Sequence, residues 1–334
     1  MIVVTGGAGF VGSNLSRALA CERRADVVAV DRTGDPVKVR NLAGIPLADV
    51  VSPTELARIL QRGDRWMERV EAVLHYGGCT DTRETDWRYV FATNVRFSKL
   101  LLDGCVSRRV PFLYASSSAV YGLGRRFGEE PENERPRGLY ACSKAAFDRH
   151  VRRVLATVSS PIVGLRYFNV YGSGEAHKGP MASLIYQLHQ QATASGRLQL
   201  FGGLDGCADG EQRRDFVAVE DVVQVTLWAL EQAKVSRILN VGSGTATSFN
   251  QVARLVIEHS GGVVEYVRLP ASLRASYQLL TQADLRSLRA AGYTQPMTRP
   301  AAGIRGYLRR LSAPVGGNAS RPSHGGIRRP APPR

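Results

Sequence analysis

The chain is predicted to be an α/β protein, a doubly wound parallel sheet with a smaller C-terminal α/β lobe. Three observations predict it. Short apolar runs alternate with stretches of helical periodicity up to about residue 243, as strands and crossover helices do. Most of those runs end in glycine or serine, which belong at the carboxyl edge of such a sheet. A glycine triplet follows the first run directly. With 334 residues, 44% of them hydrophobic, there is enough apolar surface for a sizeable core and two domains.

Ile2-Val3-Val4-Thr5 reads as the first strand, followed by Gly6-Gly7-Ala8-Gly9-Phe10-Val11-Gly12 and a helix from Ser13 to Cys21. Gly6, Gly9 and Gly12 suit a tight turn, a close backbone approach to a pyrophosphate and close helix–strand packing. A second strand, residues 26–31, ends in Asp31, placed to meet a ribose. Strand, glycine turn, helix and acid together predict dinucleotide binding in a Rossmann domain. Arg32 and Lys38 are candidates for holding a 2′-phosphate, which would favour NADP, with NAD the alternative.

A helix over 55–61 precedes a strand, 72–75, that runs into Tyr76-Gly77-Gly78-Cys79; its His75 reads as a packed histidine. Residues 87–108 form a long helical stretch containing Asn94, and strand 110–115 delivers Ser116-Ser117-Ser118 ahead of Val120-Tyr121-Gly122. The next helix, 139–155, opens on Tyr140 with Lys144 one turn later, which stacks the two on one face. A lysine ammonium there is expected to favour the phenolate and suit Tyr140 to acid–base work on a hydroxyl.

Strand 161–168 leads into Asn169-Val170-Tyr171-Gly172, and then Glu175-Ala176-His177-Lys178-Gly179-Pro180-Met181. His177-Lys178, between turn residues, is well placed to touch a ligand, whereas Met181 reads as packing. A helix is expected from Ala182. Residues 201–214, from Phe201, read as a polar loop closing on Arg213-Arg214-Asp215-Phe216-Val217. Helix 219–232 and strand 238–242 return to the sheet. Helices 249–259, 284–291 and 301–311, with strand 264–268, make the lobe. The expected domains are 1–168 with 215–243 for the cofactor, and 169–214 with 244–311 for the substrate. Residues 312–334, rich in Pro, Gly, Ser and Arg, are expected to be a disordered basic tail.

The formal charge is +15, four units of it from arginines in that tail. A basic balance suits a nucleic acid, but an anionic nucleotide substrate needs only a local basic site. No nucleic-acid partner is therefore expected. Five scattered cysteines without a metal-ligand spacing argue for reduced thiols, no metal site and the cytoplasm. The apolar runs are too short to span a membrane, and the first strand leaves no room for a signal peptide ahead of it.

The motifs Gly6-x-x-Gly9-x-x-Gly12, Ser116-Ser117-Ser118 before Val120-Tyr121-Gly122, Tyr140-x-x-x-Lys144, Arg166-Tyr167-Phe168-Asn169-Val170-Tyr171-Gly172 and Arg214-Asp215-Phe216-Val217 resemble the extended short-chain dehydrogenase/reductase family of nucleotide-sugar enzymes. Over residues 1–311 the chain is most similar to the ADP-glycero-manno-heptose 6-epimerase branch, through His177-Lys178-Gly179, Met181-Ala182-Ser183 and Tyr277-Gln278 as well. The resemblance implies epimerisation at C6″ of an ADP-heptose with bound NADP, for lipopolysaccharide core heptose. It also implies a homo-oligomer, a pentamer in that branch. Tyr140 and Lys178 would be the acid/base pair, Lys144 would support Tyr140 and the cofactor ribose, and Ser117 would hold the substrate oxygen. Cofactor contacts would come from Gly6, Gly9, Phe10, Val11, Gly12, Asp31, Arg32, Lys38, Tyr76, Asn94, Lys144 and Val170. Substrate contacts would come from Ser117, Asn169, Met181, Ser183, Gln187, Phe201, Arg214 and Tyr277.

Departures from the branch are Arg32 in place of an asparagine, Pro53 in place of a lysine, Gln187 in place of a histidine, and a lengthened 202–212 loop. Dehydratases of the family carry Asp-Glu before Val-Tyr-Gly, where this chain has Ser118-Ala119. The competing readings are a UDP-hexose 4-epimerase and a non-catalytic cofactor- or nucleic-acid-binding protein.

Overall fold

The structure is a computed structural model that describes residues 1–313 except 159, 233–234 and 275–276. The expected tail beyond Ala313 lies outside the described residues.

Seven parallel strands form the main sheet in the order β10-β6-β5-β4-β1-β2-β3. They are β1 (Ile2–Thr5), β2 (Val27–Val30), β3 (Asp49–Val51), β4 (Ala72–His75), β5 (Phe112–Ser117), β6 (Ile162–Tyr167) and β10 (Arg237–Val241). Alternate residues enter opposite cores, as the two-residue period of a strand requires. Val4, Leu74 and Leu113 join Leu15, Leu19, Val222 and Val225 on one face. Val3, Val73 and Phe112 join Leu56, Leu101, Phe147 and Val151 on the other. Helices therefore cover both faces. The strand order reverses between β1 and β4, so the crevice that receives ligands in such sheets opens beyond their carboxyl ends.

The remainder is built on β7 (Asn169–Tyr171), β9 (Arg213–Ala218) and β11 (Ala246–Ser248) in one small sheet, and on β8 (Arg197–Phe201) paired with β12 (Val263–Val267). Its own core gathers Ile185, Leu188, Phe216, Val252, Val256 and Tyr307. Asp215 ties the pieces together. Its buried carboxylate accepts from the Ser243 and Gly244 amides, the Ser243 hydroxyl and the Ala283 amide, at 2.6 to 2.9 Å.

The expected elements are present with shifted ends. The 219–232 and 301–311 expectations become Val219–Glu231 and Pro300–Ser312, while 284–291 shortens to Arg286–Ala290. The helix expected from Ala182 starts at Leu184, because Ser183 caps it by accepting from the Tyr186 amide. β3, β7, β8, β9 and β11 were not foreseen. β3 is three residues long, two of them exposed, and carries no apolar alternation. The long 87–108 stretch is Trp87–Phe91 and Phe97–Val106 joined by a wider π turn, Ala92–Arg96.

Candidate active site

The glycine turn leaves β1 with Gly6 at φ +68°, where a Cβ would stand 2.6 Å from the Tyr76 carbonyl oxygen. A Cβ on Gly12 would stand 2.0 Å from the carbonyl oxygen of Gly6, so this glycine packs the helix onto the turn, not onto the strand. Gly9 begins the helix Phe10–Arg17 without any side-chain cap, which leaves its first-turn amides facing the crevice for an anion. Phe10 is buried and Val11 partly so. Asp31, directly after β2, closes the turn by accepting from the Ala8 amide at 3.0 Å. Its other oxygen accepts from Lys38 Nζ at 2.6 Å. Arg32 lies over the Tyr89 ring, 5.9 Å from its centroid. This cradle, too narrow for side chains and edged by an acid, fits a nicotinamide dinucleotide.

The second wall comes from β5 and the helix Gly138–Leu155. Of the three serines, Ser116 turns inward to Asp148 at 2.8 Å and Ser118 is buried, whereas Ser117 Oγ accepts from the Ala119 amide at 3.1 Å and lies near enough to the Tyr140 phenol to lower its pKa. Lys144 Nζ lies 5.9 Å from the centre of the Tyr140 ring and donates to the Ala115 carbonyl at 2.8 Å. Burial lowers Lys144 to about 8, against the pull of the Asp148 carboxylate.

Tyr140 departs from the expectation. Burial raises its pKa, only partly offset by Ser117, so the lysine does not hold the phenolate in the protein alone.

Below this wall lies an ion network that the motifs did not reveal. Arg166, fully buried, pairs with Asp148 at 2.9 Å and with Glu134, and donates to Tyr121 at 3.1 Å. Asp148 also accepts from Tyr114 at 2.8 Å. The arginine of the Arg-Tyr-Phe-Asn motif is thus a clamp between strand and helix, one turn beneath Lys144. Asp148 could have been found in the sequence as an acid one helical turn beyond Lys144.

The third wall is the segment 172–183. Lys178 Nζ sits 5.5 Å from the centre of the Phe10 ring. Burial lowers its pKa while Glu175 holds it up. Glu175 is itself wholly buried and accepts from the Gly172 amide and the Ser183 hydroxyl, at 3.1 and 2.8 Å. It pins both ends of the loop that carries Lys178. Met181 reaches across to Thr82, whose hydroxyl points at its sulfur at 3.8 Å.

A fourth group lies in the lobe. The Arg214 guanidinium, mostly buried, lies 5.4 Å from the ring centres of both Phe249 and Tyr277. Phe201 packs edge-on to Tyr277, whose buried hydroxyl has no partner among the described residues. Arg214 forms no ion pair among the described residues, and burial lowers its pKa. A buried cation between rings, beside an unpaired hydroxyl, suits a nucleotide diphosphate and base.

Several expected contacts are committed elsewhere. The Tyr76 phenol bonds Tyr167 and Thr226, so only its backbone borders the cradle. Asn94 spends its amide on the Cys79 backbone and the Ser143 hydroxyl, as a brace for the crevice loop. Ser183 serves as helix cap and Glu175 partner, and Gln187 donates to the Pro180 and Ala182 carbonyls. Asn169 is exposed and Val170 partly buried on β7, at the crevice edge. His75 is buried between Thr5 and Ser98 at 2.7 Å from each, as a packed histidine should be. Among the described residues there is no cluster able to hold a metal ion, and no helix is long and apolar enough to cross a membrane.

The chain is 47% identical over 309 residues to the ADP-L-glycero-D-manno-heptose-6-epimerase of Alkalilimnicola ehrlichii, covering 92% of this chain and 96% of that one. Its structure resembles the crystal structure of the Helicobacter pylori ADP-L-glycero-D-manno-heptose-6-epimerase, with a TM-score of 0.79 and 31% identity over 93% of this chain and 96% of the other. It also resembles a Thermus thermophilus UDP-glucose 4-epimerase solved with NAD, with a TM-score of 0.77 and 26% identity over 94% and 99%. The model of the NAD dependent epimerase/dehydratase family matches residues 2–242. With that family's model matched over most of its length and a relative 47% identical over 92% of it, the chain belongs to the NAD dependent epimerase/dehydratase family.

Proposed function

We propose that the protein interconverts ADP-D-glycero- and ADP-L-glycero-D-manno-heptose by transient oxidation at C6″, as a cytoplasmic homo-oligomer serving lipopolysaccharide heptose synthesis. The observation that carries this reading is the placing of two acid/base candidates on separate walls. Tyr140 stands on the Gly138–Leu155 helix beside Ser117, and Lys178 on the 172–183 loop over Phe10. Inversion at one carbon presents its oxygen on two sides, and a single fixed base serves only one.

When bound, the nicotinamide supplies a hydride acceptor that later returns the same hydride and ends unchanged. The protein's part is the proton. One of Tyr140 and Lys178 takes it from the C6″ hydroxyl as the carbon loses hydride; the other returns one after the ketone has turned over. Ser117 holds the oxygen, and Arg214 with Tyr277 and Phe201 anchors the ADP. The cofactor is proposed to be NADP, its 2′-phosphate held by Arg32 and Lys38 beside Asp31.

Incubating the purified protein with ADP-D-glycero-D-manno-heptose and separating the two epimers tests the reaction. An equilibrium mixture without added oxidant is expected. Turnover of UDP-glucose alone would replace this substrate with a UDP-hexose.

A further inference from the structure

The loop bearing Lys178 and the glycine turn are far apart in sequence, yet two asparagines join them. Asn14 donates from Nδ2 to the carbonyls of Phe10 and Ser173, both at 2.8 Å. Asn41, in the short helical segment Arg40–Leu42, donates from Nδ2 to the carbonyls of Ala8 at 3.1 Å and Gly174 at 3.0 Å. Those two bonds use both hydrogens of the Asn41 amide. His177 Nδ1, 3.2 Å from that amide and 3.0 Å from the Gly174 carbonyl, therefore carries its own proton and donates to Gly174. Gly174, at φ +93°, is inserted between the two side chains. A Cβ there would stand 3.4 Å from Asn14 Nδ2 and 3.7 Å from Asn41 Oδ1.

We propose that Asn14 and Asn41 are positioning residues that form a double latch between the cofactor cradle and the Lys178 loop, so that an occupied cradle holds Lys178 in place. The proposal rests on Lys178 acting as acid/base. A diphosphate drawn onto the first-turn amides orders the turn from Ala8 to Phe10. Two of the four latch acceptors are the carbonyls of those residues, and the other two belong to Ser173 and Gly174. Order in the turn therefore passes to the loop. The asparagine amide offers two hydrogens from one atom to two carbonyls; an aspartate at either position has the shape without the donors. A cycle that returns its hydride never releases the cofactor, so a latch across the cradle does not slow turnover.

Amide hydrogen exchange on the full chain, freed of cofactor and then saturated with NADP⁺ or NAD⁺, tests the latch without any substrate. In the wild type, nucleotide should slow exchange at both 6–12 and 173–178, by about tenfold or more. In Asn14→Ala/Asn41→Ala, and in the milder Asn41→Asp if the double variant does not fold, nucleotide should still slow 6–12. Segment 173–178 should stay at its cofactor-free rate in the double variant, and its slowing should be weakened in Asn41→Asp. Equal slowing of 173–178 in wild type and variants, or no slowing in the wild type, overturns the proposal. With ADP-heptose, Asn41→Asp should lower kcat about tenfold and move KM less than threefold, the mark of a misplaced acid/base. A wild type that slows exchange at both segments but turns over no ADP-heptose would sink the substrate reading and leave the latch standing.

Discussion

Lys144 and the carbonyl of Ala115 stand 2.8 Å apart, so the helix presenting Tyr140 is stitched to the strand that delivers Ser117. Burial of that ammonium brings its pKa down to about 8, with Asp148 one turn away pulling it up. A depressed lysine pKa means that the charge is present below that value and lost above it. The pH profile of kcat/KM, which reports the free enzyme, should therefore fall as pH rises through about 8. Asp148→Asn removes the supporting charge and should move that limb to lower pH. An unmoved limb would detach it from Lys144.

Tyr140→Phe and Lys178→Met should each lower kcat by about 10² to 10⁴ while leaving KM for ADP-heptose and thermal stability nearly unchanged. The competing role for Lys178 is pairing with substrate phosphates. A Lys178→Met enzyme with unchanged kcat and a raised KM would demote it to a binding residue.

Two glycines of the cradle should fail differently. Gly9→Val fills the space in front of the first-turn amides and should abolish cofactor binding, seen as loss of bound nicotinamide in the purified protein. Gly12→Ala drives a methyl to 2.0 Å from the Gly6 carbonyl oxygen and should lower the melting temperature as well. Full cofactor occupancy in Gly9→Val would break the assignment of the turn.

His75, held between two hydroxyls with its pKa down to about 3, should make the protein acid-sensitive. The unfolded chain takes up this proton below about pH 6.5 and the folded one does not. Stability contributed by the neutral ring is thus intact above that pH and falls on acidification, by up to about 1.4 kcal/mol per pH unit. Denaturant titrations from pH 7 to 5 should show the slope, and His75→Gln should flatten it.

The parallel sheet and the crevice at its carboxyl edge were readable because strand alternation, glycine spacing and strand-end residues are local signals. The Ser117–Tyr140–Lys144 group was legible for the same reason. Asp148 and Asp215 were not singled out as hubs, since each works through partners scattered along the chain. Glu175 was not because, although its partners are local, its complete burial leaves no mark in the sequence. Nor does spacing reveal commitment: Tyr76, Asn94 and Ser183 stand at the expected places, but their polar atoms are taken by Thr226, Cys79 and Glu175. The raised Tyr140 pKa was missed because a neighbouring charge is visible in a sequence and desolvation is not.

The excursion from Gly202 to Gln212 begins and ends at one point. Gln212 Nε2 donates to the Gly202 carbonyl at 2.8 Å, the Gly210 amide bonds back to Phe201 at 3.1 Å, and Leu204 and Cys207 exchange backbone bonds at its tip. With its base sewn shut, the tip can lengthen for little more than closure entropy, about 0.6 kcal/mol for each doubling. It hangs beside Phe201, at the aromatic box around Arg214. The tip can therefore change in length or sequence as an interchangeable cassette, while the walls that carry Tyr140 and Lys178 keep theirs.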